Sequence, residues 1–157
     1  MTPDERAHLM RQALDYLREA TSAGGVATAD IPVAALVIDS AGEIIGRGVN
    51  TRTSTGDPTA HAEVNALREA AAARGEWHLD DCTLVVTVEP CTMCAGAILN
   101  ARIKTLIFGA FEPKTGAVGS VIDVLREGVD HHPMEIIGGV LAAEAAAPLK
   151  EFFESRR

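Results

Sequence analysis

Two short segments limit how this chain can fold: His61-Ala62-Glu63 and Pro90-Cys91-Thr92-Met93-Cys94. Together they offer one imidazole, two thiols and one carboxyl, and they act together only if the fold brings two distant stretches to one place. Cys91 and Cys94 are three apart at a helix start, which puts both sulfurs on one face of the first turn. The partial positive charge of a helix N-terminus favours thiolate over thiol. Pro90 suits the first helical position, where its missing N–H would be unpaired anyway. His61 sits near the start of a second helix. Glu63, two residues on, points away from His61, in a direction compatible with an open fourth coordination position. Three protein ligands leave a tetrahedral zinc one position for water. That water ionises near neutral pH, and Glu63 is then free to move protons. Two other readings of Cys-x-x-Cys stay open at this point. It can be a redox pair, or half of a structural zinc site with Cys82 or His78 as fourth ligand.

The surrounding pattern predicts alternating strands and helices. Thr2-Pro3-Asp4-Glu5 reads as a capped helix start, and Met10, Ala13, Leu14, Leu17 and Thr21 recur at helical spacing up to Gly24-Gly25. Val33–Ile38 and Ile44–Val49 form a hairpin around Asp39-Ser40-Ala41-Gly42. Asn50–Pro58 reads as a loop. A helix follows from Ala60, with Val64, Leu67, Ala70 and Ala71 inward and Gly75 at its end. Thr83–Val88 is a β-branched strand, Pro90 opens the next helix, and Ile103–Phe108 is a strand. Gly109–Gly119 is a loop and Val121–Leu125 one helical turn. Met134–Ile137 is a last strand, and Leu141–Phe153 a helix that Pro148 should kink or interrupt. This order predicts a three-layer α/β/α sandwich around a central mixed five-stranded sheet.

A chain of 157 residues suits one domain spanning residues 1–157. No apolar run approaches a membrane span, and the acidic start Met1-Thr2-Pro3-Asp4-Glu5 is unlike a secretory signal, so a cytoplasmic location is expected. Three cysteines fit a reducing compartment better than a disulfide framework, with Cys82 read as a small core residue. The formal net charge of −8 argues against nonspecific nucleic-acid binding, and an aromatic content of 4% leaves few stacking platforms. Contact with RNA would need a local basic patch, for which Arg102, Lys104, Lys114, Lys150, Arg156 and Arg157 are candidates. His8, His131 and His132 read as surface or packing histidines.

Several segments carry a resemblance. Asp57-Pro58-Thr59-Ala60-His61-Ala62-Glu63, Val88-Glu89-Pro90-Cys91-Thr92-Met93-Cys94-Ala95-Gly96-Ala97, Ala101-Arg102-Ile103, Phe108-Gly109-Ala110, Pro113-Lys114-Thr115-Gly116-Ala117-Val118-Gly119-Ser120 and Phe152-Phe153 resemble the bacterial tRNA-specific adenosine deaminases. The His-x-Glu and Pro-Cys-x-x-Cys parts are common to zinc deaminases of several bases and fix the reaction type. The Lys-Thr-Gly-x-x-Gly-Ser segment points to the tRNA enzymes. The resemblance implies a cytidine deaminase-like fold and one zinc per subunit on His61, Cys91 and Cys94, with Glu63 shuttling protons. It also implies that Asn50 hydrogen-bonds the purine and that the Ala62 backbone faces the base. Glu112, where the family commonly has Asp, and Lys114 would meet the substrate. The implied partners are a tRNA anticodon stem-loop and a second copy of the chain, and the implied product is inosine at the wobble position. A guanine deaminase with the same zinc chemistry is the alternative.

Overall fold

Every residue of β1 (Ala34–Ile38) is buried, and its side chains alternate between two apolar clusters: Ala35 and Val37 in one, Leu36 and Ile38 in the other. Only a sheet covered on both faces accommodates such a strand. The computed structural model describes residues 1–22, 30–127 and 133–156. Within them β1, β2 (Ile44–Val49), β3 (Thr83–Val88), β4 (Thr105–Ala110) and β5 (Glu135–Ile137) form one five-stranded sheet in the order β2-β1-β3-β4-β5. β1 runs antiparallel to both β2 and β3, whereas β3, β4 and β5 run parallel. The expected mixed, three-layer arrangement is therefore found.

One face carries α3 (Ala62–Arg74), α4 (Thr92–Asn100) and α5 (Val124–Glu127), packed through Ala66, Leu67, Ala70, Ala95, Ile98, Leu99 and Leu125 onto Leu84, Val86, Leu106 and Phe108. The other carries α1 (Pro3–Ser22) and α6 (Ala142–Glu154), packed through Met10, Ala13, Leu14 and Ala145 onto Leu36, Val85 and Ile107. A capping box starts α1: Thr2 Oγ1 accepts from Glu5 N, and a Glu5 carboxylate oxygen accepts from Thr2 N.

α3 lies unusually close to β2. A Cβ on Gly46 would sit 2.3 Å from the Ala66 carbonyl, and one on Gly48 2.3 Å from the Ala62 carbonyl. Alanines on the helix and glycines on the strand thus let two backbones touch. This contact sets the helix rotation, so its inner face is Ala62, Ala66, Leu67 and Ala70, with Val64 and Ala71 only partly buried.

Other departures from the sequence reading have local causes. A short helix, α2 (Arg52–Thr55), interrupts the predicted Asn50–Pro58 loop because the buried Asp30 carboxylate accepts from Thr53 N and Ser54 N in its first turn. β4 starts two residues later than predicted. Arg102 takes a left-handed φ of 61° after α4, and Ile103 is buried in the turn before the ladder begins. α6 runs unbroken through Pro148, whose missing N–H would have met the carbonyl of Glu144, an exposed residue whose carbonyl water can satisfy. Gly24-Gly25, His131, His132 and Arg157 lie outside the described residues.

Gly46→Ala is expected to destabilise the protein by about 1–3 kcal/mol in urea unfolding, because a helix backbone must move. Gly96→Ala, inside α4 with open space around its Cα, is expected to stabilise by about 0.5–1 kcal/mol. Equal effects of the two changes would refute the close-contact account.

Candidate active site

The chain reaches His61 through a fixed turn. Asp57 Oδ1 accepts from both the backbone and the hydroxyl of Thr59, and His61 N donates to Thr59 O. His61 is the N-cap of α3, with extended backbone (φ −75°, ψ 157°), and its ring does not cap the helix. Cys91 is the N-cap of α4 in the same way (φ −77°, ψ 178°). Pro90 therefore lies just outside the helix rather than at its first position, and its carbonyl accepts from Ala117 N. Both caps follow strand ends on one side of the sheet, and they meet there.

His61 Nδ1 lies 3.4 Å from Cys94 Sγ and 3.6 Å from Cys91 Sγ. The three donor atoms form the one cluster among the described residues whose ligand atoms all fall within 4.8 Å of one another. A tetrahedral zinc with ordinary Zn–N and Zn–S bonds sets N···S edges of about 3.6 Å, so donor chemistry and spacing both fit that ion. Cys82 and His78 are not in this group. Cys82 is buried at the opposite end of β3, where its thiol contacts Asp81 and burial pushes its pKa up to about 11. His78 sits between Asp80 and Glu76.

Glu63 is 3% exposed in the first turn of α3, and its carboxyl is electrostatically coupled to Cys91, His61 and Cys94. Its carboxyl is not among the three converging donor atoms. Burial pushes the Glu63 carboxyl up to about 7, with the Cys91 thiolate adding and His61 opposing. In the metal-free protein, a hydrogen bond with Cys94 holds Cys91 down at about 4. The same contact and burial push Cys94 above the ordinary thiol range. The Cys91 hydrogen bond also raises the His61 imidazole.

Asn50 is buried at the end of β2. Its Nδ2 donates to Ile31 O and its Oδ1 accepts from Arg52 N, which leaves one donor and one acceptor position free. The Ala62 carbonyl packs against Gly48, so the group this residue can offer a ligand is its first-turn N–H. Glu112 Oε1 accepts from the exposed Lys114 backbone. Both belong to a loop tied to Glu89, a buried carboxylate to which the sequence reading assigned no role. Burial raises the Glu89 pKa, but hydrogen bonds from Ser120, Glu112 and Val118 outweigh that and hold it below the carboxylate range. The signal available in sequence was a Glu directly before Pro-Cys. Of the proposed basic patch, Arg102 pairs with Asp80, and Lys104 opens β4 at the end of the sheet away from the donors. A wide cleft lined by Arg74, His78, Lys104 and Glu135 lies at that far end too and contains none of the donors.

Residues 3–110 match the family model for the cytidine and deoxycytidylate deaminase zinc-binding region. The chain is 46% identical over 149 residues to the tRNA-specific adenosine deaminase of Haemophilus influenzae, covering 95% of this chain and 83% of that protein. It is 54% identical over 129 residues to a tRNA(Ile)-lysidine synthase of Deinococcus radiodurans, covering 82% of this chain but spanning only 22% of that protein. A solved structure from studies of A-to-I editing by tRNA:A34 deaminases at the wobble position of transfer RNA superposes with a TM-score of 0.81. The match covers 90% of this chain and 99% of that one, at 37% identity.

The Glu63 shift has a stability consequence. Its folded pKa of about 7 exceeds its ordinary value of 4.5. Its contribution is therefore complete below pH 4.5 and is lost as pH rises through 7. In the metal-stripped protein, Glu63→Gln should gain on wild type across this window by about 3 kcal/mol, read from urea unfolding at several pH values. A difference that stays constant with pH would remove the burial argument. Cys91→Ser is expected to purify with well under one zinc per chain by elemental analysis, because a hydroxyl does not ionise to replace the thiolate.

Proposed function

The chain belongs to the cytidine and deoxycytidylate deaminase family of zinc-binding proteins, and on that premise we propose that it deaminates the wobble adenosine of a tRNA anticodon to inosine by zinc-dependent hydrolysis. One observation carries the reaction type: a three-donor cluster with a buried carboxyl, Glu63, two residues from its histidine. Support for the substrate comes from the near-full-length similarity to tRNA-specific adenosine deaminases, which extends to Bacillus subtilis at 38% identity over 157 residues.

In this reading His61 Nδ1, Cys91 Sγ and Cys94 Sγ hold the metal. Zinc in such a site is a Lewis acid that lowers the pKa of water toward neutrality. Glu63 accepts a proton from the attacking water and delivers it to ring N1 as hydroxide adds to C6. The carboxylate then takes the proton of the new C6 hydroxyl and passes it to the exocyclic amine; the C6–N bond breaks as the C6 carbonyl forms, so that water is consumed and ammonia released. A carboxyl poised near neutrality suits both directions of transfer. Asn50 offers its free donor and acceptor to the purine, and the Ala62 N–H meets the base. Loop nucleotides are already partly unstacked, so extruding one costs less than from a duplex. Lys114, and Arg52, whose charge reaches His61, supply local positive charge on an acidic protein, and Glu112 faces the RNA. The reading includes a cytoplasmic homodimer in which the second copy helps form the RNA groove. Among the described residues no helix is long and apolar enough to cross a membrane.

The test is incubation with an anticodon stem-loop carrying adenosine at the wobble position, followed by nucleoside analysis. Inosine and ammonia should appear in equal amounts. Glu63→Ala should keep its zinc and lose about 100- to 10,000-fold in rate. Turnover of free guanine without turnover of the stem-loop would hand the site to the alternative substrate.

A further inference from the structure

Glu89 is 2% exposed and lies outside the donor cluster, yet its carboxylate is surrounded by donors from one loop. Oε1 accepts from Glu112 N (3.1 Å) and from the Ser120 hydroxyl. Oε2 accepts from Val118 N and Ser120 N, each at 3.0 Å. The loop closes so tightly that a Cβ on Gly116 would sit 2.5 Å from Glu89 Cδ. The next residue joins in: Pro90 O accepts from Ala117 N at 2.8 Å, while Glu89 N donates to Ala110 O at the loop's start. Segment 112–120 is thus wrapped around a two-residue peg whose next neighbour in sequence is the donor Cys91.

We propose that Glu89 is a positioning residue for RNA binding: it holds the Glu112–Ser120 loop, with Lys114 exposed at its outer side, in a fixed place beside the donor cluster. The inference rests on the tRNA reading above. A carboxylate is needed because both oxygens face backbone N–H groups. The amide of Gln would turn an NH2 toward one of them whichever way it is placed, and two donors repel. Asp is one methylene too short to reach the same donors. In this proposal the loop meets the RNA backbone and not the reacting atoms, so its displacement would weaken ground-state and transition-state binding equally. That raises KM and leaves kcat in place.

The experiment uses the zinc-loaded full chain and the wobble-adenosine stem-loop. Glu89→Gln should keep one zinc per chain and kcat within a few-fold, while KM rises about tenfold or more, the scale of losing one charge-assisted hydrogen bond. Gly116→Ala, whose Cβ would press on the Glu89 carboxylate and the Glu112 carbonyl from the loop side, should move KM in the same direction. Ser120→Ala, which removes only the hydroxyl, should move it less. Amide exchange at Val118 and Ser120 should quicken in Glu89→Gln, an effect that a role confined to the metal ligands would not produce. Loss of zinc or of kcat with unchanged KM would overturn the proposal and make Glu89 a support for Cys91 alone. Unchanged KM despite faster exchange would overturn it as well. A wild-type chain that forms no inosine from the stem-loop would overturn the substrate reading and this inference with it. Wild-type turnover with no change in the variants would overturn this inference alone.

Discussion

Two helices begin at the residues that meet over the metal position. His61 caps α3 and Cys91 caps α4, and neither spends its side chain on the backbone N–H groups it precedes. An N-cap ordinarily satisfies those groups through a side-chain oxygen. Here that arrangement is given up, and the side chains are free to converge at the separation a tetrahedral cation requires. Cys94, three residues into α4 from Cys91, reaches the same point. The layering of the protein serves this meeting. Parallel β3 and β4 deliver α4 to the sheet face already occupied by α3, and the Gly46 and Gly48 contacts fix how deep α3 sits.

Two buried glutamates flank the cluster, and their surroundings drive them apart. Glu63 lies among sulfur and apolar groups, and burial dominates its behaviour. Glu89 receives three backbone N–H bonds and a hydroxyl, so its charge is held in place despite burial. A carboxyl that changes protonation easily can carry protons. One locked in the ionised form can only hold structure. One residue type thus serves two ends, set by the number of donors around it.

Much of this was legible in the chain itself. Apolar runs of strand length, separated by glycine and proline, gave the sheet and its layers, and the spacing of His61, Cys91 and Cys94 pointed to their convergence. What escaped the sequence reading depended on contacts between distant segments. The inner face of α3 followed from a backbone–backbone approach to glycines on β2, the strand that precedes it. The α2 turn depended on Asp30, more than twenty residues before it. The ionised state of Glu89 depended on Ser120, 31 positions away.

Cys82 is fully buried with a weakly acidic thiol, whereas Cys91 is partly exposed and ionises readily. Soluble electrophiles therefore find their target among the metal-binding sulfurs and not in the interior. A maleimide dye added to the native protein becomes a gauge of how many chains have given up their ion. Peroxide follows the same preference, so ageing of the protein in air should extinguish turnover while the layered scaffold still stands.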